Sequence, residues 1–179
     1  GKRYNLAIPN QEIRNIMTDH ILQLFKEDVA KDGAMVETFC QALVDGNADR
    51  IEQLFTEYLT KTISVRDTFV RKPVKENFYH GILLGILSYK GGWYVTSNRE
   101  SGDGFSDIMV RIDDEDVGII VEVKYAENGK EEEMSRKALL QIHEKHYEKV
   151  LLDEDIHKVM KYGIACNKKK CKVSMEISE

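Results

Sequence analysis

The stretch Val117–Tyr125, with the sequence VGIIVEVKY, constrains the fold of this chain more than any other. Its β-branched apolar residues are typical of a buried strand. Glu122 and Lys124 follow near its end, and because side chains alternate along a strand, both point to one face. Charged groups there cost free energy unless they are paired or used chemically. We therefore predict a functional site, with an ion pair at the sheet edge as the alternative.

The composition allows one domain, or a domain with a small appendage. Of 179 residues, 42% are hydrophobic and 32% are charged, which is enough to bury a core. No apolar run approaches the roughly 20 residues of a membrane-spanning helix, and no secretory signal is visible. Three cysteines without close CxxC spacing favour reduced thiols in a cytoplasmic protein. The net charge of −5 argues against coating nucleic acid through bulk charge, although it allows a local basic track.

The first third of the chain is predicted to be helical. Pro9 and Asn10 precede the first of three stretches with apolar residues at helical spacing, and Asn47 has the place of an N-cap before the third. No chemical motif lies here, so we assign residues 1–70 to a helical block for packing or interaction. Because Gly1 is not a natural start, we also expect residues upstream of it.

A fourth helix is predicted over residues 73–90, where a glycine pair follows it. Its wide apolar face indicates a largely buried helix. Glu76 and His80 lie one turn apart on a common face near its start. The local explanation of Glu76 is a favourable charge in the first turn, acting on the helix dipole.

The pattern then changes to strands. Residues 105–112 and Val117–Tyr125 are joined by a short acidic turn, which predicts an antiparallel hairpin. Asp107, near the start of the first strand, then lies across from the end of the second. The hairpin is therefore predicted to bring Asp107 together with Glu122 and Lys124.

The last part of the chain predicts a long helix to about residue 152 and then two strands. The apolar stripe of this helix is Leu139, Ile142, His143, His146, Tyr147, Val150 and Leu151. His143 and His146 resemble half of a metal site but lack the HExxH spacing. The lysine run at residues 168–170 is interpreted as a solvated turn between the strands, with a nucleic-acid contact as the alternative.

Two carboxylates and a lysine on one face suit a hard cation such as Mg²⁺, which takes oxygen ligands and keeps several waters. Such an ion can polarise a phosphodiester and supply a nucleophilic hydroxide. The lysine can stabilise charge that grows on the phosphate, or help to orient the attacking water. The alternative is a structural ion-pair network of Asp107, Glu122 and Lys124.

The order of these residues resembles the PD-(D/E)XK nuclease superfamily: Glu76 on a helix, SGDGFSD ending in Asp107, EVK at residues 122–124, and Gln141 on the next helix. The segments IPNQE, KENFYHGIL, SNRESGDGFSD, VEVK, ALLQIHEKHY and KYGIAC are similar to one bacterial branch, in which this domain lies C-terminal to an AAA-ATPase-like domain. The resemblance covers essentially the whole chain. It implies an α/β (α+β) fold: a restriction-endonuclease-like αβββαβ core with a mixed central sheet at residues 71–179, preceded by the helical block.

The resemblance also implies roles for individual residues. These are Asp107 and Glu122 as metal ligands together with the backbone carbonyl of Val123, Lys124 as the catalytic lysine, Glu76 as the accessory helical acid, and Gln141 as the polar residue on the following helix. Tyr147 would line the same region. Ser106 stands where the motif has a proline, a departure that leaves the carboxylate of Asp107 intact.

The activity implied by the resemblance is hydrolysis of phosphodiester bonds in nucleic acid, DNA in the first place, by a Mg²⁺-dependent endonuclease that accepts Mn²⁺ as a substitute. The implied partners are nucleic acid and the upstream AAA-ATPase-like domain, with a homodimer as one option and no membrane. A regulatory module that binds nucleic acid or protein, and cuts nothing, is the alternative function. A purely structural domain with a paired charge cluster is the third.

Overall fold

The structure is a computed structural model that describes residues 33–62, 72–97, 108–112, 115–127 and 129–178, with side chains from Lys75 onward in the second range. The elements in chain order are α1 (Gly33–Val44), α2 (Ala48–Thr62), α3 (Lys72–Tyr89), β1 (Trp93–Ser97), β2 (Ile108–Ile112), β3 (Val117–Tyr125), α4 (Glu131–Glu144), α5 (Glu148–Leu152), β4 (Lys158–Asn167) and β5 (Lys170–Ser178). The helix predicted after Pro9 and the position of Asp107 lie outside the described residues.

The described strands form one mixed sheet in the order β1-β2-β3-β4-β5. The pairs β1–β2, β2–β3 and β4–β5 are antiparallel, whereas β3 and β4 are parallel. Parallel neighbours need a long crossover connection, and α4 and α5 supply it. The mixed α+β fold is therefore confirmed, and so is the antiparallel hairpin over its described part, in which Ile108 lies opposite Val121.

The sheet is covered on both faces, which explains why β3 is apolar along its length. Ile119, Val121 and Val123 belong to the core formed with α1, α2 and α3, while Ile120 packs on the opposite face with residues of α4 and α5. The helices α1 and α2 thus share one apolar core with the sheet. Asn47 caps α2 as predicted, because the backbone N–H of Arg50 donates to its Oδ1 over 3.1 Å.

The prediction of one long helix to about residue 152 is wrong, because the chain turns between α4 and α5. His146 lies in this turn with a φ of 53°, a left-handed conformation that is unfavourable for a residue other than glycine. His146 and Val150 are exposed, against the predicted stripe, while Tyr147 and Leu151 are buried. The turn lets Leu151 pack on Gly118 of β3, where a Cβ would lie only 2.7 Å from its Cδ1.

The helix α4 lies directly on β4. At Gly163, a Cβ would come within 2.6 Å of the backbone nitrogen of Leu139. Only glycine permits this approach, since real Cβ atoms do not come so close to backbone atoms. Within the described parts of the chain, no helix combines the length and the apolar content needed to cross a membrane.

Candidate functional site

Glu122 and Lys124 lie near the carboxyl end of β3, on the face covered by α4. The Nζ of Lys124 lies 2.6 Å from the Oε1 of Glu122. Glu122 is only 2% exposed, although it carries a carboxylate. The prediction that both side chains point to one face is therefore confirmed, and the ion pair of the alternative interpretation also exists.

The environment of Glu122 is poor in water. Burial raises the pKa of Glu122 above its ordinary value, and the nearby Glu76 carboxylate acts in the same direction. The charge of Lys124 and its hydrogen bond act against this rise, and the charge of Lys145 adds to the opposition. Perturbed carboxyl groups of this kind are concentrated at functional sites.

Glu76 reaches the end of β3 from the first turns of α3. Its Oε1 accepts the backbone N–H of Tyr125 over 3.2 Å. Lys75, its neighbour, donates to the hydroxyl of Tyr125 over 3.2 Å and lies 4.4 Å from the centroid of that ring. The start of α3 is therefore anchored to the residue that follows Lys124. The local explanation of Glu76 as a charge in the first turn is wrong, because α3 begins at Lys72 and Glu76 lies beyond that turn.

The backbone carbonyl of Val123 points to the same side of β3 as Glu76. In a strand, the N–H and C=O of one residue point to the same side, and every second residue repeats that side. The N–H of Tyr125 is directed to Glu76, whereas the N–H of Ala126 donates to Cys166 of β4 over 2.8 Å. The carbonyl of Val123 is therefore directed away from β4, toward the side on which β2 pairs with β3.

Gln141 and Lys145 lie one turn apart at the end of α4, and the carbonyl of Gln141 accepts the backbone N–H of Lys145 over 3.1 Å. Side chains at this spacing share a helix face. The charge of Lys145 lowers the pKa of Glu122, opposing the effect of burial, so the end of α4 acts electrostatically on the end of β3. Sequence reasoning missed Lys145, although its position four residues after Gln141 could have indicated it.

Tyr147 is buried on the same side of the sheet as Glu122. It packs in the apolar cluster that contains Met109 and Ile120, and the Nζ of Lys145 lies 5.5 Å from its ring centroid. Within the described residues, its buried hydroxyl has no hydrogen-bond partner. A buried hydroxyl without a partner is a cost to stability.

The structure does not bring His143 and His146 together as ligands. His143 pairs with Glu176, with 3.1 Å between Nε2 and Oε2, and His146 is exposed. Among the residues that the structure describes, no three His, Cys, Asp or Glu side chains form a group that could hold a metal ion. Asp107 lies outside the described residues and is therefore not among them. Ile108, the residue after Asp107, lies opposite Val121, and Val121 directly precedes Glu122 in β3.

Comparison with known proteins identifies the segment that contains this site. The family model of the PD-(D/E)XK nuclease superfamily matches residues 74–176, which is more than half of the chain. The match begins in α3, close to Glu76, and ends in β5, so that it includes Glu122, Lys124 and Gln141. None of the curated proteins compared with the chain matches it.

Proposed function

The chain belongs to the PD-(D/E)XK nuclease superfamily, and we propose from this membership that it is a Mg²⁺-dependent endonuclease that hydrolyses phosphodiester bonds in DNA. The observation that carries the proposal is the pair of the buried Glu122 and the partly exposed Lys124, with Glu76 at the same strand end. Such a pair contributes little to stability by itself, since removing the Glu122 charge from water costs about as much as its attraction to Lys124 returns. A chemical use explains its presence better.

The oxygen atoms at this strand end fit a hard cation. Glu122 offers a carboxylate, and the carbonyl of Val123 is directed to the side of β3 that faces Glu76. We assign Asp107 as the further ligand, because Ile108 after it lies opposite Val121 and the next position along β3 is Glu122. When bound by these oxygen atoms, Mg²⁺, or Mn²⁺ in its place, would polarise the phosphodiester and lower the pKa of a bound water.

The remaining residues act by charge and position. Lys124 stabilises the negative charge that grows on the phosphate in the transition state. Glu76 is the accessory acid, and it also holds the backbone of Tyr125 in place. Gln141 supplies a neutral polar group one helical turn before Lys145, whose charge acts on Glu122. Each of these groups comes from a helix or strand, which favours a rigid arrangement.

A wider context follows from the bacterial branch that the sequence resembles. In it, this domain would act in the cytoplasm together with an AAA-ATPase-like domain upstream. The segments KENFYHGIL and ALLQIHEKHY, which contain Glu76 and Gln141, support this part of the proposal.

The deciding experiment compares cleavage of supercoiled plasmid, linear DNA and RNA with Mg²⁺, with Mn²⁺ and with EDTA. We expect nicking or cleavage of DNA by the wild type that depends on the metal ion, and a rate at least about 100-fold lower for Glu122→Gln and for Lys124→Ala. Lys149→Ala, an exposed change on α5, is the matched control and should cleave like the wild type.

Equal cleavage by the wild type and both site variants would indicate a contaminating nuclease and would contradict the proposal. Cleavage of RNA alone would move the substrate from DNA to RNA. If no condition gives cleavage, the non-catalytic regulatory module becomes the better explanation.

A further inference from the structure

A concavity rich in lysine lies beside the proposed site. It has a volume of about 700 Å³ and is lined by Gly129, Glu131 and residues 167–172. Four of these lining residues are lysines and one is a glutamate, in a chain whose net charge is −5. We refer to this concavity as the lysine cleft. Such a local excess of positive charge stands out against the acidic balance of the whole chain.

The register of the sheet connects the lysine cleft to Lys124. Lys124 lies opposite Ala165 of β4, and Ala165 lies opposite Lys172 of β5. Directly opposite residues share a face of the sheet, so Lys172 is on the face that carries Glu122 and Lys124. Lys170, two residues earlier in β5, shares that face too. Two strand spacings, about 10 Å, separate Lys124 from Lys172 across the sheet.

Two of the four lysines are engaged with α2, and two are available to a ligand. Lys169 donates to the carbonyl of Thr60 over 3.2 Å, and Lys172 pairs with Glu52 over 3.0 Å. Lys168 and Lys170 are exposed, and neither has an ion pair in the described part of the chain. Among the described residues, no opposite charge forms an ion pair with either lysine, although the charge of Lys170 acts on Glu131 and helps to lower the pKa of that carboxyl.

The backbone that carries these two lysines is held in place. The hydroxyl of Tyr79 on α3 donates to the carbonyl of Lys168 over 2.7 Å. Asn167 and Lys170 form the last pair of the β4–β5 ladder, so the turn between them is short. A charge on an anchored turn loses less conformational entropy on binding a ligand than one on a loose segment.

The acidic residues near the lysine cleft have partners of their own. Glu131 accepts the side-chain amide of Asn167 over 3.0 Å. The next two glutamates of α4 form ion pairs along the helix, Glu132 with Arg136 and Glu133 with Lys137. These contacts reduce the negative potential that an approaching phosphate would meet.

We propose that the lysine cleft binds the phosphate backbone of the nucleic acid whose scissile phosphate lies at Glu122 and Lys124. The inference rests on the proposed function for its choice of ligand. The cleft therefore binds phosphates that neighbour the bond that is cut, and it binds them without regard to base sequence.

The test uses the full chain with Lys168→Asn and Lys170→Gln combined. Asn is chosen at position 168 because Lys168 has a φ of 54°, which asparagine tolerates better than most residues. Lys169 and Lys172 are left unchanged, since they tie the turn to α2. The control combines Lys149→Ala and Lys158→Ala, which lie on α5 and at the opposite end of β4 and remove the same charge.

Binding of a short labelled duplex of mixed sequence is measured by fluorescence anisotropy, in Ca²⁺ and in EDTA, between about 50 and 200 mM salt. We expect the slope of log Kd against log salt to fall by about 2 in the cleft variant, one unit for each lost phosphate contact, and to stay unchanged in the control. Lys170→Arg keeps the charge and should keep the slope, and equal melting temperatures verify that each variant is folded.

The outcomes separate this inference from the proposed nuclease activity. A wild-type slope in the folded cleft variant would overturn the inference, even where the wild type cleaves DNA. Absence of duplex binding by the wild type would overturn it as well. A lower slope in the cleft variant, in a chain that cleaves nothing, would support the phosphate site and reject the nuclease.

Discussion

At the scale of single residues, the end of β3 combines groups that a stability argument alone does not explain. Glu122 is buried beside Lys124, and Glu76 uses its carboxylate on the backbone of Tyr125 rather than on its own helix. The contact of Glu76 spans 49 residues of sequence. Local helix rules therefore could not reveal it, and only the resemblance to a nuclease family indicated that Glu76 belongs to the site.

Changes at Glu76 separate its hydrogen bond from its charge. Glu76→Gln keeps an oxygen that accepts the N–H of Tyr125, so we expect its free energy of unfolding to match the wild type. Glu76→Ala removes the acceptor and should lose about 1 kcal/mol. Both variants lack the carboxylate and should cleave DNA more slowly. Denaturant unfolding together with cleavage rates checks this, and a Gln variant with full activity would contradict the role of an acid.

Tyr147 gives a second prediction at this scale. Its buried hydroxyl lacks a hydrogen-bond partner among the described residues, so Tyr147→Phe should leave the free energy of unfolding unchanged or raise it by up to about 1 kcal/mol. Urea unfolding measures the difference. A loss of stability of similar size would show that the hydroxyl has a partner in the folded chain. A fall in cleavage rate at unchanged stability would support the prediction that Tyr147 lines the site.

At the scale of elements, the packing of helices on the sheet was only partly predictable. Strand periods and the Asn47 cap indicated most elements correctly, because those signals are local. The break between α4 and α5 was missed, since apolar residues continue at helical spacing through it. The left-handed turn at His146 is offset by the packing of Leu151 on Gly118, a contact between distant segments.

Two glycine substitutions should act in opposite directions. Gly163→Ala places a methyl group against the backbone of α4 and should lower the free energy of unfolding by about 3 kcal/mol. Gly81→Ala, within α3, meets nothing within 4 Å and should raise it by roughly 0.5 to 1 kcal/mol, the difference in helix propensity. Chemical unfolding of both variants checks the contrast. Equal effects would mean that α4 does not lie on β4 as closely as described.

Lys161 of β4 and Glu148 of α5 form an ion pair, and we expect substitutions of the two residues to change the stability by different amounts. Lys161 is 1% exposed and pairs with Glu148, while Glu176 lies 3.7 Å away. Glu148→Gln leaves a buried cation with a weaker partner and should cost about 2 kcal/mol of stability. Lys161→Met replaces the buried charge with an apolar side chain of similar size and should be neutral or stabilising. Urea unfolding near neutral pH compares the two variants, and a larger loss in Lys161→Met would contradict the expectation.

The same pair has a pH dependence of defined sign. The hydrogen bond from Lys161 lowers the pKa of Glu148 below its ordinary value of 4.5, so the folded state binds this proton less readily than the unfolded state. Stability from the pair is present above pH 4.5 and is lost as the pH falls through the lowered pKa. Unfolding curves at several acidic pH values should show this loss in the wild type and less of it in Lys161→Met.

At the scale of the whole molecule, α1 and α2 share one apolar core with α3 and the sheet. The boundary predicted between residues 1–70 and 71–179 stays a prediction. Because buried residues of the helices and of the strands contact each other, we expect one cooperative unfolding transition. Far-ultraviolet circular dichroism and tryptophan fluorescence, which reports on Trp93 in β1, should give coincident curves. Two separate transitions would support independent domains.

The lysine cleft illustrates what sequence reasoning could not supply at this scale. The lysine run was visible in the sequence, and a solvated turn was the simpler interpretation. Its relation to Lys124 depends on two successive strand pairings, one of them a parallel pair across a long crossover. The register of the parallel pair depends on contacts between segments that are distant in sequence, so no local pattern contains it.

Two contacts of α3 restrict how the length of the chain around the site can change. Glu76 holds the end of β3, and Tyr79, three residues later on the same helix, holds the turn after β4. These two anchor points are therefore spaced by about one helical turn, roughly 5 Å. Insertions or deletions in the surrounding loops leave that spacing unchanged, whereas a single residue added between the two would rotate one anchor away from its strand by about 100°. The number of residues between Glu76 and Tyr79 therefore sets the distance between the two contacts. A change in the length of this segment should disturb the site more than a change in its composition.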